Sequence, residues 1–457
     1  MILQVRQQLS SSSETTTQSQ YESSPQEYGT KTIIKASPLA IDPSHPLSPY
    51  IRHCIKSPYP RETTASSSQN QKTMDQTFTT IFLGTGAGGR PNNKRAPSST
   101  ALRLSGHTFL FDAGEGTQRQ LAFSNLGVLE VGRIFVTHLH ADHVGGLLGV
   151  ILQREIAVKS SLEENGGGGG GQKGEKRTLE IYGPVGLYNL IAMNVALTCS
   201  KIRNLKVVVY ELVGGSEKRR GVGNRSYPEL KSTNIERQTL EKGEDGTWTI
   251  QEPATVGEND VQGRDSHLRV SIKAAEVLHS PGIQTFGYVV EESKPALKID
   301  VDKAKYLGVA PSPKYRALKN GFAVMNDDGS REVRPDEILM DGSAKKARKF
   351  ALLGDAWKVP TPMRNLCEGA DLLVYEATLI DAGSPSVCRE RGHSTPEMAG
   401  ALALETNAKI LVMNHISGRN DSQESVDMMV AAAEQGNKGA SLITTAYDFM
   451  MINIPNE

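Results

Sequence analysis

Val136-Thr137-His138-Leu139-His140-Ala141-Asp142-His143-Val144-Gly145-Gly146 is the stretch that decides the fold of this 457-residue chain. Four side chains able to bind a metal ion fall within six residues of it, after the largely apolar residues 133–136 and before the helix-like residues 147–152. A strand that ends in such a cluster holds imidazoles and a carboxylate in one loop. A two-metal site needs neutral nitrogen ligands together with an anion. The spacing therefore predicts a metal site, against the alternative of a solvated surface loop.

Two metal ions need more ligands than one loop supplies, and three later polar residues stand where apolar runs end. They are His279, Asp355 and His415, which follow residues 268–278, 350–354 and 410–414. Loops at strand ends are where functional side chains gather, so these residues are candidates for the missing ligands. Each of them, taken alone, is equally compatible with a hydrogen-bonded His or a turn Asp.

In this order after the first cluster, the candidate ligands resemble the ligand series of the metallo-β-lactamase superfamily. The resemblance implies two ions, each bound by three side chains, with a carboxylate bridging them: His138, His140 and His279; Asp142, His143 and His415; and Asp355 as the bridge. The His-rich set favours Zn²⁺. Asp112 matches the early structural Asp beside the site. The implied fold is an α/β four-layer αββα sandwich with the metals at one edge between the sheets.

The flanking sequence is more specific, because it resembles the tRNase Z family of endonucleases, which remove 3′ trailers from precursor tRNA. The similar segments are Phe82-Leu83-Gly84-Thr85-Gly86-Ala87-Gly88, Pro97-Ser98-Ser99-Thr100, Asp112-Ala113-Gly114-Glu115-Gly116-Thr117-Gln118, Tyr375-Glu376-Ala377-Thr378-Leu379, Gly392-His393-Ser394-Thr395 and His415-Ile416-Ser417-Gly418-Arg419. The resemblance covers most of residues 79 to 453. It implies a zinc-dependent endoribonuclease that leaves a 3′-hydroxyl on the tRNA and a 5′-phosphate on the trailer.

Glu376 and His393 match a Glu–His pair that this family places beside the metals. Leaving a 3′-hydroxyl requires a proton for the departing oxygen, and a His oriented by a carboxylate can hold that proton near neutral pH. We therefore expect His393 to protonate the leaving oxygen and Asp142 to orient the attacking water. The alternative for the pair is a structural hydrogen bond.

The charge balance requires any RNA substrate to be bound by local basic surface. Lys plus Arg and Asp plus Glu number 51 each, so the whole chain has no net field that attracts RNA. Lys314 and Lys319 lie in a segment that resembles the family loop near the tRNA 3′ end, and Arg419 lies in the His415 loop. We expect these three to bind precursor tRNA. Family members are commonly homodimers, and we expect a homodimer here.

The glycine turn, residues 84–89, has the letters of a dinucleotide-binding fingerprint, G-x-G-x-x-G. Such a site needs a helix directly after the glycines, with the pyrophosphate at its N-terminus. The following residues 90–97 contain two prolines and no helical periodicity. We therefore expect a turn bordering the active site and no nucleotide cofactor. Nor is any apolar run long enough to span a membrane, so no membrane contact is expected.

The distribution of apolar pattern predicts one catalytic domain with attachments. Residues 1–74 are rich in Ser, Thr, Gln and Pro, which predicts a disordered extension, and residues 75–457 would form the metallo-β-lactamase domain. Within it, the Gly-rich residues 159–177 are expected to be a surface insertion. The longer insertion 214–266 lies where the family carries a protruding flexible arm, and we expect it to bind tRNA; a passive linker is the alternative.

Two other functions stay open at this point. One is a general metal-dependent phosphodiesterase of the same superfamily acting on small substrates, since one site supports many chemistries. The other is a non-catalytic binding relative without metals, which the complete ligand series disfavours. The expected location is cytoplasmic or nuclear, and a plastid or mitochondrial address stays open.

Overall fold

In a computed structural model of the chain, the described residues are 51–53, 78–88, 94–104, 106–164, 177–216, 234–251, 270–293, 299–319, 321–339, 347–380 and 384–454. Within these ranges two large β-sheets form. The first has the strand order β1-β20-β2-β4-β5-β6-β7-β8-β9, and the second has the order β10-β11-β12-β15-β16-β17-β19.

The strands, in chain order, are β1 (Ile51–His53), β2 (Phe78–Gly84), β3 (Gly86–Ala87), β4 (Ser99–Leu104), β5 (His107–Phe111), β6 (Val131–Phe135), β7 (Arg177–Pro184), β8 (Leu205–Val213), β9 (Ile235–Glu241), β10 (Thr247–Gln251), β11 (Val270–Leu278), β12 (Gln284–Glu292), β13 (Val324–Met325), β14 (Glu332–Val333), β15 (Lys349–Leu353), β16 (Leu372–Glu376), β17 (Ile410–Asn414), β18 (Ile416–Ser417), β19 (Leu442–Thr445) and β20 (Met450–Asn453). Two short pairs, β13 with β14 and β3 with β18, stand apart from the large sheets.

The α-helices are Thr117–Phe123, Ala141–Val144, Leu147–Glu164, Leu187–Leu197, Val301–Tyr306, Pro313–Lys319, Pro335–Ile338, Thr361–Cys367, Pro385–Arg391, Pro396–Glu405 and Gln423–Asn437, and a 3₁₀ turn covers Val128–Glu130. None of the helices within the described ranges is long and apolar enough to cross a membrane.

The two large sheets pack against each other, and helices cover their outer faces. Successive strand residues point to opposite faces, so Phe135 of β6 joins the core between the sheets, while its neighbours Ile134 and Val136 join the core under the helices. Phe135 meets Tyr288 of the second sheet with ring centroids 5.2 Å apart. The order helix, sheet, sheet, helix confirms the predicted αββα sandwich.

The parallel parts of the sheets create the functional edge. β5 and β6 are parallel in the first sheet, and β15, β16 and β17 are parallel in the second. Parallel strands deliver the residues that follow them to the same edge of a sheet. The polar residues at or just after these strand ends are Asp112, His138, Asp355, Glu376 and His415.

Part of the insertion 214–266, which is predicted to be an arm, lies within the two sheets. Residues 217–233 and 252–269 lie outside the described residues, but the part between them forms β9 and β10 in the two sheets. Trp248 of β10 is fully buried, and its Nε1–H donates to the carbonyl of Val213 (2.8 Å). β9 is an edge strand with mostly exposed polar side chains, so it lacks the apolar alternation that marks a strand in sequence.

Two other predicted boundaries also differ from the structure. The Gly-rich insertion at 159–177 begins later, because the helix Leu147–Glu164 continues through its first residues and β7 begins at Arg177; residues 165–176 are outside the described ones. In the predicted disordered segment 1–74, Ile51–His53 pairs with β20 as an edge strand, and Ile51 packs on the core. The rest of that segment lies outside the described residues.

Residues 299–339 form a small module with a core of its own. The buried side chains of this core are Ile299, Ala304, Val309, Leu318, Val333 and Ile338. The module contains the pair β13–β14 and three short helices. Lys314 and Lys319 therefore belong to a part of the fold that the sequence did not distinguish from the main domain.

Candidate metal centre

The loop after β6 presents the first four candidate ligands. At its start, the N–H and O–H of Thr137 donate to the two oxygens of Asp112 (2.7 and 2.8 Å). At its end, the N–H of His143 donates to the carbonyl of His140 (3.0 Å), which closes the turn of the helix Ala141–Val144. Asp112 thus fixes the beginning of the loop, and the helical turn orients the rest.

Four side chains form the first ligand group: His138, His140, His279 and Asp355. His140 Nδ1 lies 3.0 Å from His138 Nε2 and 3.3 Å from His279 Nε2. Asp355 Oδ2 lies 3.8 Å from His138 Nε2. With zinc–nitrogen bonds of about 2.0–2.1 Å, two ligands at a tetrahedral angle are about 3.3 Å apart. The spacing fits a zinc ion.

Asp142, His143 and His415 form the second group. His415 Nε2 lies 3.3 Å from both His143 Nε2 and Asp142 Oδ2. Asp355 Oδ2 lies 3.5 Å from His143 Nε2 and 3.3 Å from His415 Nε2. One carboxylate oxygen is therefore within reach of both groups, the placement expected of a bridging ligand.

Four of the imidazoles are oriented through the ring nitrogen that faces away from the centre. The Nδ1 atoms and their acceptors are His138 with Thr137 Oγ1 (3.0 Å), His143 with Asp112 Oδ2 (2.7 Å), His279 with the Gly392 carbonyl (2.6 Å) and His415 with Thr378 Oγ1 (2.9 Å). With the proton on Nδ1, each Nε2 presents a lone pair to the centre. Such partners fix the tautomer and orientation of metal-binding histidines.

Burial sets the protonation of the first group. It lowers the pKa of His138, His140 and His279 below the ordinary value of an imidazole. These three rings are neutral at pH 7, the form that binds a metal. They are ready to act as ligands without first losing a proton.

The carboxylates are ionised although burial opposes it. The imidazoles of His143 and His415 lower the pKa of Asp142 and Asp355. Burial alone would lower the pKa of His143, but Asp355 and Asp112 raise it well above its ordinary value. His143 Nε2 thus attracts a proton or a metal cation, and binding a cation there would release the proton. Nitrogen and carboxylate donors in this number suit zinc.

Beside the two groups, Glu376 holds His393. The Nδ1–H of His393 donates to Glu376 Oε1 (3.0 Å), which also accepts the N–H groups of Ser394 (3.1 Å) and Ala356 (3.0 Å). Burial lowers the pKa of His393, but the hydrogen bond and charge of Glu376 outweigh it and raise the pKa to about 9. His393 is therefore protonated on both ring nitrogens at neutral pH. Its Nδ1 lies 3.9 Å from Asp355 Oδ2.

Two contacts at the centre had no role in the sequence interpretation. Thr378 donates through Oγ1 to Glu376 Oε2 (2.6 Å) while accepting from His415. The N–H of Gly88 in the glycine turn donates to Asp142 Oδ2 (2.8 Å). Thr378 stands two residues after Glu376 in a segment already compared with the family, but its contact with His415 spans 37 residues and no local pattern indicates it.

The three candidate substrate residues are not placed alike. Arg419 is exposed in the loop after β18, four residues beyond His415. Lys319 is exposed at the end of the helix Pro313–Lys319 in the small module. Lys314 of the same helix forms an ion pair with Asp327 (2.7 Å). Arg419 is in the same loop region as the candidate ligand His415, four residues after it, whereas the two lysines belong to the small module.

Two known proteins and one solved structure are similar to most of this chain. Zinc phosphodiesterase ELAC protein 1 of Mus musculus is 35% identical over 382 residues, covering 82% of this chain and 98% of that protein. Ribonuclease Z of Bacillus subtilis is 28% identical over 378 residues, covering 82% and 98%. The crystal structure of human tRNase Z, short form, is similar with a TM-score of 0.51 and 28% identity, covering 82% of this chain and 99% of that one.

A family model gives a second, shorter match. The model described as anti-Pycsar protein Apyc1 matches residues 78–163, a segment that contains the glycine turn and the loop after β6. This match covers much less of the chain than the relatives do.

Replacing Thr378 by Val should weaken zinc binding, because the His415 ring loses the acceptor that orients it. Loss of such an outer partner typically lowers metal affinity by about 10–100-fold. The measurement is a competition titration of metal-free protein against a chromophoric zinc chelator. Thr378→Ser, which keeps the hydroxyl, is the matched control and should bind zinc like the wild type. Equal affinity of the Val and Ser variants would contradict the role given to Thr378.

Proposed function

The chain belongs to the ribonuclease Z family, and from this premise we propose that it is a zinc-dependent endoribonuclease that removes the 3′ trailer from precursor tRNA. The cut leaves a 3′-hydroxyl on the tRNA and a 5′-phosphate on the trailer. The observation that supports this most directly is the Glu376–His393 pair beside two ligand groups that Asp355 can reach with one carboxylate oxygen. It supplies a proton donor next to a site that can bind a phosphodiester.

Two zinc ions per chain fit the two groups, with His138, His140 and His279 around one and Asp142, His143 and His415 around the other. Asp355 would bridge them. Zinc bound there would polarise the scissile phosphate and lower the pKa of the attacking water. The residues of the chain supply the remaining steps.

Asp142 is the residue we assign to the attacking water. Its pKa is lowered, so its carboxylate is ionised at neutral pH and able to accept a hydrogen bond from the water. The Gly88 N–H donates to its Oδ2 (2.8 Å) and fixes the position of that oxygen. A carboxylate held in this way orients the water for in-line attack on phosphorus.

His393 is the residue we assign to the leaving oxygen. Its Nδ1–H is engaged by Glu376, so the proton on Nε2 is the one available for transfer. The side chain is 20% exposed, which leaves it accessible from the substrate side. Donating that proton to the departing 3′ oxygen avoids the release of an alkoxide.

Substrate contact outside the cut falls to Arg419, Lys314 and Lys319. Arg419 is exposed close in sequence to His415 and can bind a phosphate near the cut. The lysines place positive charge on the small module, where residues 303–322 contain five basic and no acidic residues. The module as a whole, residues 299–339, contains seven basic and seven acidic residues, so its basic segment 303–322, together with any contribution from the insertion 214–266, would provide the local basic surface that a chain without net charge needs. We also expect a homodimer, which sedimentation equilibrium would test.

The second candidate is a general metal-dependent phosphodiesterase of the same superfamily. The observation in its favour is that the similar protein of Mus musculus is named a zinc phosphodiesterase, a name that states no tRNA substrate. The Glu376–His393 pair is what the first proposal needs in addition.

Cleavage of an end-labelled precursor tRNA tests the proposal. Wild-type protein should cut once, after the discriminator base, leaving a 3′-hydroxyl on the tRNA. His393→Ala should lower the cleavage rate by about 100–10,000-fold, the usual contribution of a general acid, with its zinc content unchanged. His107→Ala, at the start of β5 and outside the ligand groups, is the control.

Two outcomes would count against this account. Full activity of His393→Ala with its zinc bound would remove the acid role. Intact precursor tRNA, with a small phosphodiester hydrolysed by the same zinc-loaded protein, would favour the general phosphodiesterase instead.

Lys319→Ala should weaken the binding of precursor tRNA and reduce the salt dependence of binding by about one phosphate contact. Hydrolysis of bis(p-nitrophenyl) phosphate should be unchanged, because that substrate is too small to reach the module as well as the cut. Lys201→Ala, an exposed lysine outside the module, is the control. If the two variants bind precursor tRNA equally well, Lys319 is not a substrate contact.

A further inference from the structure

Residues 84–88 of the glycine turn lie between the two loops that carry Asp142 and His415. On one side the Gly88 N–H donates to Asp142 Oδ2 (2.8 Å). On the other side the N–H of Ile416 donates to the Thr85 carbonyl (2.8 Å), and β3 pairs with β18. The position of the turn therefore affects two of the three side chains of the second ligand group.

Asp448, between β19 and β20, holds this turn. Its Oδ1 accepts the N–H (3.0 Å) and the O–H (2.8 Å) of Thr85. Its Oδ2 accepts the N–H of Ala96 (2.7 Å) and an N–H of Gln120 (3.3 Å). Thr85 is fully buried, and Asp448 is 9% exposed. One buried carboxylate thus joins the turn to three segments that are distant in sequence.

Arg95 completes the buried polar group. Its NH1 donates to Thr85 Oγ1 (2.8 Å) and to the carbonyl of Ala446 (2.6 Å), and its Nε–H donates to Asp421 Oδ1 (2.7 Å). Arg95 is only 4% exposed. Because Asp421 lies two residues after Arg419, the same guanidinium connects the glycine turn to the loop expected to meet the substrate phosphate.

The glycine turn packs closely against the backbone of residues 95–97. A Cβ on Gly84 would lie 1.8 Å from the carbonyl oxygen of Pro97, and a Cβ on Gly86 would lie 3.1 Å from Cβ of Arg95. Burying charged groups is costly, and an apolar set of the same volume is often at least as stable. Directional hydrogen bonds fix the position of the backbone next to the candidate metal ligands, which apolar packing does not do. Partners of metal ligands that are held in this way tune metal affinity.

We infer that Arg95 and Asp448 are positioning residues for the half of the metal centre that contains Asp142 and His415. Both act through the glycine turn, and Arg95 acts also on the loop that carries Arg419. The inference deepens the function proposed above and rests on it. Neither residue contacts a candidate ligand. The contacts of the turn go to Asp142 and to Ile416, next to His415, so the effect is expected on the second ligand group and not on the first.

Stepwise zinc binding by the full chain tests this. Metal-free protein is titrated with zinc against a chromophoric chelator, which yields a dissociation constant for each ion. Asp448→Asn should weaken binding of the ion held by the second group by about 10–100-fold and leave the first ion unchanged. In an Asp142→Ala background, where the second group is already broken, adding Asp448→Asn should have no further effect.

Glu211→Gln is the matched control. Glu211 is a buried carboxylate that accepts the N–H groups of Gly186 and Tyr188 and pairs with Arg237, far along the chain from the candidate ligands. It should lower stability without changing either zinc constant. Thr85→Val, which keeps the shape and removes the bridging hydroxyl, gives the same test if Asp448→Asn does not fold.

Equal weakening of both zinc constants, or no change in either for the folded variants, would overturn the inference. The readout does not involve RNA. A wild type that binds two zinc ions but leaves precursor tRNA uncut would refute the proposed function and leave the positioning role standing.

Discussion

The buried carboxylate of Asp355 is the feature on which the rest of the site depends. Its Oδ2 lies 3.8, 3.5 and 3.3 Å from the Nε2 atoms of His138, His143 and His415. A buried charge is costly unless it is paired, so the Asp355 carboxylate needs protons or metal cations between it and these nitrogen atoms. The imidazoles of the first group are neutral and the carboxylates of Asp142 and Asp355 are ionised, so bound metal cations can pair with these carboxylates. The edge of the sandwich presents the imidazoles and the carboxylates together.

Around this centre, hydrogen bonds relate the catalytic pair to the ligands. Glu376 contacts His393 directly and reaches His415 through Thr378, so one carboxylate orients a proposed proton donor and a proposed ligand together. Asp112 does the same for the loop after β6 and the ring of His143. A change at either carboxylate is therefore expected to alter binding and chemistry together, which makes their separate contributions non-additive.

The sequence predicted what depends on local pattern. The dense cluster after β6 and the polar residues at strand ends indicated candidate ligands. Their resemblance to the metallo-β-lactamase series implied the αββα fold, and that of the flanking segments to tRNase Z implied the family; the fold and the family are confirmed. What the sequence did not indicate depended on distant contacts: β9 exposes polar residues at a sheet edge, and Trp248 is buried because the two sheets enclose it. The contact of Thr378 with His415 spans 37 residues and that of Asp448 with Thr85 spans 363, so no spacing rule indicates either.

Anomalous diffraction from crystals of the zinc-loaded protein, recorded on both sides of the zinc absorption edge, would show whether two zinc ions share Asp355. We expect two zinc peaks about 3.5–4 Å apart, the separation typical of two-metal sites. One should be bonded by His138, His140 and His279, the other by Asp142, His143 and His415, with Asp355 bonded to both. A single peak, or two peaks of which at most one is bonded to Asp355, would show that Asp355 does not join a two-metal centre.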